Sequence, residues 1–147
     1  MKKFDKKQLE NFVNGYTHSR MRKSTQENII EVLYEFQNSI EQLNNPVSKS
    51  KIDRVLSAVT AVTGYTLEQL QEKQKVYYRA IIRQIAMFIL HSECHLKSTE
   101  IGLLLKRDHS TALHSIKKVY DYINLKRLYQ REFETYEMIM YEFNKGK

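Results

Sequence analysis

The sequence is poor in the residues that punctuate or staple a chain. It holds one cysteine (Cys94), one proline (Pro46), four glycines and no tryptophan in 147 residues. A lone cysteine excludes an intramolecular disulfide and fits a reducing compartment. So few glycines and prolines exclude collagen-like or low-complexity organisation. No apolar run approaches the roughly 20 residues that a bilayer-spanning helix needs, so no membrane partner is expected. The basic start, Met1 to Lys7, leads into no apolar segment and does not read as a signal peptide. A cytoplasmic protein is expected. Hydrophobic residues make up 41% of the chain, enough for a core, and the length suits one domain with terminal extensions.

What is present is positive charge, unevenly placed. Of the net charge of +7, residues 48–124 contribute twelve Lys/Arg against seven Asp/Glu. The flanks are nearly neutral, seven against six in 1–47 and five against four in 125–147. A basic centre between balanced flanks suits one surface built for a polyanion.

No segment alternates with a period of two long enough for a strand, and helical spacing runs almost throughout, so the expected fold class is all-α. "STQENIIEVLYEFQNSIEQL" opens on the N-cap candidates Ser24 and Thr25 and stops at Asn44, Asn45 and Pro46. "SKSKIDRVLSAVTAVTGY" places Ile52, Val55, Leu56, Val59 and Val62 together and ends at Gly64. A short helix capped by Thr66 follows, then a long one over 75–95, then a short one capped by Ser98. A helix from Asp108 to about Tyr122 comes next, and helix is expected to continue to Phe143. Between Ala80 and Leu90 only Arg83 and Gln84 are polar, which predicts a central helix with neighbours on several sides. Lys75, Arg79 and Arg83, four apart, give it one basic edge.

The stretch "RDHSTALHSIKKV", Arg107 to Val119, divides on a helical wheel. Ala112, Leu113, Ile116, Val119, Tyr120 and Ile123 make a stripe expected to be buried. Ser110, Thr111, His114, Lys117 and Lys118 lie opposite. Asp108 is expected to cap the helix through its carboxylate. Two helices joined through Lys106 and Arg107 form the pattern of a helix-turn-helix. Its outer face offers hydroxyls and imidazoles to base edges and lysines to phosphates. An ordinary amphipathic surface helix has the same wheel.

The segment resembles the C-terminal DNA-binding domain of the bacterial replication initiator DnaA family. The likeness rests on "RDHSTALH" (Arg107 to His114), "RQIAM" (Arg83 to Met87) and "EIG" (Glu100 to Gly102), and extends over about 48–124. It implies a Trp-repressor-like helix-turn-helix domain at 48–124, with helical extensions at 1–47 and 125–147. It implies double-stranded DNA as partner, with Asp108, His109, Ser110 and Thr111 facing bases in the major groove. Arg107, His114 and Lys117 would lie on or near the backbone, and Arg83 and Gln84 would reach the duplex from the long helix. Three departures stand out. Ile81 occupies the place where the family commonly has a minor-groove arginine, Ser98 and Thr99 stand where it favours Leu-Pro, and the usual glycine pair of the turn is shortened to Lys106. Loss of that arginine should weaken part of the sequence readout.

The family's ATPase module carries a phosphate-binding loop, GxxxxGK[ST]. Gly15, Gly64, Gly102 and Gly146 form no such loop, so ATP hydrolysis by that route is excluded. No catalytic role, cofactor or nucleotide is expected. His91, Cys94 and His95 share a helical face, but a structural zinc normally takes four ligands and no second Cys/His pair lies nearby, so no metal is expected. The acidic residues are scattered, which disfavours a metal-dependent nuclease.

The flanks carry matching apolar seams, Ile29-Leu33-Phe36-Ile40-Leu43 and Tyr129-Phe133-Tyr136-Met140-Phe143, both spaced 4-3-4-3. They suit pairing within one chain or, as a homodimer, between two. The basic stretch Arg20 to Lys23 reads as a solvated tail, with added phosphate contacts as the alternative. Two functions follow: sequence-specific DNA binding in replication-origin recognition, its regulation or transcription regulation, or a protein-interaction regulator of the replication machinery with little DNA affinity.

Overall fold

The computed structural model describes residues 3–16 and 22–145, and every regular element among them is a helix. They group into two compact units, divided between Asn44 and Asn45.

The first unit is a helical hairpin of α1 (Lys6–Tyr16) and α2 (Lys23–Asn44). Asp5 and Gln8 start α1 reciprocally: Gln8 N donates to Asp5 Oδ1 at 2.7 Å and Asp5 N to Gln8 Oε1 at 2.9 Å. Leu9 and Val13 of α1 pack on Ile30 of α2, with Ile29, Leu33 and Tyr34 half-buried around them. The seam expected on α2 is thus partly used by α1. Ser24 and Thr25 do not cap α2. They lie in its first turn, where Arg22 O already accepts from Thr25 N and Gln26 N. The basic stretch at 20–23 falls partly outside the described residues.

The second unit contains α3 (Pro46–Thr63), α4 (Leu67–Gln71), α5 (Tyr77–Cys94), α6 (Ser98–Leu105), α7 (His109–Asn124) and α8 (Gln130–Lys145). Its boundaries follow local chemistry. Asn45 Oδ1 accepts from Val47 N at 3.0 Å while Pro46 takes the first helical position, where a missing N–H costs nothing. Gly64 ends α3 at φ +78°, in the left-handed region open to glycine. Thr66 and Gln69 form a capping box on α4.

The apolar α5 is central, as its composition predicts. Ile82, Ile85, Met87, Ile89 and Leu90 are fully buried, and α5 packs on α3, α4, α6, α7 and α8. Its start is later than expected, so Lys75 lies in the preceding connection rather than on a helical edge. Lys97, not Ser98, takes the cap position of α6, and the Glu100 carboxylate accepts from Lys97 N at 2.7 Å.

Helix is also not continuous to Phe143. It breaks over 125–129, where Leu125 O accepts from both Leu128 N and Tyr129 N. The break lets α8 return onto α3 and α5. Tyr120 of α7 and Tyr136 of α8 then both meet Phe88 of α5 edge-on, with centroids 5.1 and 5.7 Å away. Ile139 and Phe143 are buried. Residues 125–145 therefore belong to the same unit as 45–124, and the second seam is occupied inside it.

Candidate nucleic-acid interface

The turn between α6 and α7 is set by two residues. Lys106 ends α6 at φ 52°, ψ 50°, and Arg107 N donates to Gly102 O at 2.8 Å. Gly102 faces the turn so closely that a Cβ there would lie 2.5 Å from Arg107 O. The close approach requires glycine in the middle of α6.

Asp108 has the extended cap conformation, φ −65° and ψ 149°, but its carboxylate makes no bond to the first turn. The expected side-chain cap is absent, and the exposed carboxylate stays turned to solvent. Beyond it, α7 buries Ala112, Ser115, Ile116, Val119 and Tyr122. Leu113 and Tyr120, expected in that stripe, are 45% and 50% exposed. The buried face is rotated toward Ser115 and Tyr122 because the Tyr122 side chain reaches inward to α5, where its hydroxyl donates to Gln84 Oε1 at 2.7 Å. His109, Ser110, Thr111, His114 and Lys117 are all exposed. Ser110, Leu113, His114 and Lys117 form one strip, with His109 and Thr111 on either side of its start. Lys118 turns away instead, its ammonium 3.2 Å from Tyr129 Oη and 4.9 Å from that ring's centroid. That hydrogen bond is the main cause of its raised pKa.

Three arginines meet at the end of α4. Arg83 Nε donates to Leu70 O at 2.6 Å and its Nη2 to Glu72 O at 3.1 Å. Arg107 Nη1 donates to Gln71 O at 3.0 Å, and its Nη2 to Glu72 O. Arg79 pairs with the Glu72 carboxylate at 2.5 Å and lies over the Tyr65 ring. The guanidiniums of Arg83 and Arg107 thereby satisfy carbonyls that a five-residue helix leaves open at its C-terminus. Burial, then the charges of Arg107 and Arg79, lower the pKa of Arg83. Arg83, Gln84 and Arg107, placed at the duplex by resemblance, each have a partner within the chain. The supposed basic edge of α5 is largely an intramolecular clamp.

In front of this clamp lies a cleft lined by Lys73, Lys75, Arg83, Lys106 and Arg107, with Asp108 and Thr111 at its α7 side. Tyr77, 78% exposed, stands on its rim. Sequence reading passed over Lys73 and Lys106 as members of the site. The signal was the "EKQKVYYR" run, whose cations only the fold brings to the turn. Ile81 is 6% exposed and belongs to the core, so its position presents nothing to a groove.

His91, Cys94 and His95 do not converge. Cys94 is buried, and burial pushes its thiol up to about 11. His91 Nδ1 donates to Leu96 O at 2.9 Å, and His95 ends α5 in the left-handed conformation. Among the described residues no group of three or more His, Cys, Asp or Glu is placed to hold a metal. No described helix is long and apolar enough to cross a membrane.

Residues 52–119 match the family model described as bacterial dnaA protein helix-turn-helix. The chain is 33% identical over 92 residues to the chromosomal replication initiator protein DnaA of Desulfotalea psychrophila, covering 63% of this chain and 19% of that one. The protein of the same name from Chloroflexus aggregans is 32% identical over 73 residues, 49% of this chain and 15% of its own. That from Kosmotoga olearia is 31% identical over 67 residues, 46% and 15%. The chain thus spans less than a fifth of the length of these relatives. No solved structure matches.

Proposed function

Taking residues 52–119 as a helix-turn-helix of the bacterial DnaA kind, we propose that this protein binds double-stranded DNA sequence-specifically through α7. The observation that carries this reading is the exposed strip on α7 beside a cleft of five cations. His109, Ser110 and Thr111, with the uncapped Asp108 carboxylate, face bases. Asp108 suits the amino group of cytosine or adenine, and Leu113 suits a thymine methyl. His114 and Lys117 lie toward the backbone, and Lys73 and Lys75 meet phosphates from the side of α4. Arg83, Gln84 and Arg107 act mainly by holding α4, α5 and α7 in register under that surface.

The role we infer is in replication initiation, its control or transcription regulation, with the protein on the nucleoid. A homodimer through 29–43 and 129–143 is not part of this reading, because the second seam is already packed on α3 and α5. An interaction role for the first unit has one observation in its favour, the exposure of Phe4, Phe12, Val32 and Phe36.

Selection of bound sequences from a random duplex library, at low and near-physiological salt, tests the reading. A recovered consensus that sharpens at higher salt supports it, since salt weakens phosphate contacts but spares base discrimination. Recovery of unrelated sequences at both salts contradicts it.

A further inference from the structure

Two described non-glycine residues have positive φ, His95 and Lys106. Lys106 lies in the helix-turn-helix turn, a position for which glycine is the unstrained choice. Strained backbone held by a non-glycine residue concentrates at functional sites. The Lys106 side chain is exposed and lines the cleft together with Lys73 and Lys75. Behind them, Arg83 and Arg107 have their carbonyl partners. The one carboxylate among the lining residues is that of Asp108. Ile81, in the core, contributes no cation to the surface.

We propose that Lys106 is a phosphate clamp: held in the left-handed turn, its ammonium closes with Lys73 and Lys75 on a backbone phosphate of the duplex that α7 reads. The proposal rests on the DNA-binding reading and adds a contact to it. An ammonium with three rotatable donors suits a phosphate oxygen, and three such groups around one cleft give a site that attracts an anion without reading a base. Behind the cleft, burial and then the charges of Arg107 and Arg79 lower the proton affinity of Arg83. A chain with this clamp and a buried Ile81 draws its affinity from the backbone at the turn, and its readout from α7 alone.

The test is fluorescence anisotropy of a mixed-sequence duplex of about 20 base pairs, titrated with the full chain from about 50 to 300 mM salt. The unaltered protein is compared with Lys106→Gly, Lys106→Gln and Lys106→Arg. Glycine relaxes the turn and glutamine leaves it strained, so the two separate charge from stability. Lys106→Gly is expected to melt at a higher temperature and yet bind about three- to tenfold more weakly at low salt. Its log–log salt slope should be shallower by about one. Lys106→Gln should lose the same slope, and Lys106→Arg should keep it. Unchanged affinity and slope in both neutral variants, with the unaltered chain binding, overturns this proposal and leaves the DNA-binding reading standing. Weakening in the glutamine variant alone also overturns it, because the glycine variant has lost the same charge and should weaken alike. Absence of binding by the unaltered chain overturns both.

Discussion

The hydroxyl of Tyr122 donates to Oε1 of Gln84 at 2.7 Å, tying α7 to α5 inside the second unit. The bond fixes the rotation of α7, and with it which residues of "RDHSTALHSIKKV" face outward. Tyr122→Phe keeps the ring against Tyr129 but leaves the Gln84 carbonyl without its donor. A loss of about 1–2 kcal/mol in unfolding free energy is expected, read by urea denaturation.

The same tyrosine predicts a pH dependence. Burial is the main cause that raises the Tyr122 pKa from 10 to about 12. The folded state therefore holds the phenol proton where the unfolded chain has released it. The contribution is fully present below about pH 10 and falls away between about pH 10 and 12. Cys94, raised to about 11, acts in the same direction over an overlapping range. The decline in stability with pH should be shallower in Tyr122→Phe than in the unaltered chain. Equal declines in the two proteins would remove Tyr122 as its source.

Gly102→Ala should disturb the turn from inside. The new methyl would meet the backbone oxygen of Arg107 at 2.5 Å, which no side-chain rotation relieves. A destabilisation of about 1–3 kcal/mol is expected, together with weaker DNA binding as α7 shifts on α6. A variant with unchanged melting temperature would show that the turn yields easily.

Leu113 and Ile116 lie three residues apart on α7 but differ in burial, Leu113 being 45% and Ile116 5% exposed. Ile116→Ala should cost about 2–5 kcal/mol. Leu113→Ala should cost under about 0.5 kcal/mol and instead reduce preference for thymine-containing sites. Paired thermal melts and competition binding separate the two effects.

Arg83→Ala should act on stability before it acts on DNA. It removes the donor to Leu70 O and one of the two donors to Glu72 O, which keeps Arg107 Nη2, and a loss of about 1–2 kcal/mol is expected. Lysine at this position cannot span both carbonyls and should recover little of the loss. Full recovery in Arg83→Lys would mean that charge, not the fork of donors, is what α4 requires.

Much of the fold was legible because its signals are local. Asn45-Pro46, Gly64 and Thr66 with Gln69 each fix a helix end within four residues of sequence. The apolar circumference of α5 announced its central place. The rest depends on contacts far apart in the chain. Nothing in "LKRLY" marks the break at 125–129, which has neither proline nor glycine, and its cause is the return of α8 onto α3. The wheel of α7 assigned Leu113 and Tyr120 inward because apolar character cannot say which neighbour covers which face. Arg83 and Arg107 read as free cations because the carbonyls they bind at the end of α4 lie 11 to 36 residues away. The spacing alone placed Ser110, Thr111, His114 and Lys117 outward, where the fold has them, but it also sent Lys118 there and Leu113 inward. The basic cleft beside them was not legible, since Lys73 and Lys106 come together only once α4, α5 and α6 pack.

The most direct measurement is the affinity ratio between a selected duplex and a scrambled one, for the unaltered chain and for the double variant His109→Ala, Thr111→Ala. Both residues are exposed, so the variant should melt within a few degrees of the parent. A ratio that falls at least about tenfold, with binding to the scrambled duplex retained, is the predicted result. A ratio unchanged by the double substitution would contradict base reading by the start of α7.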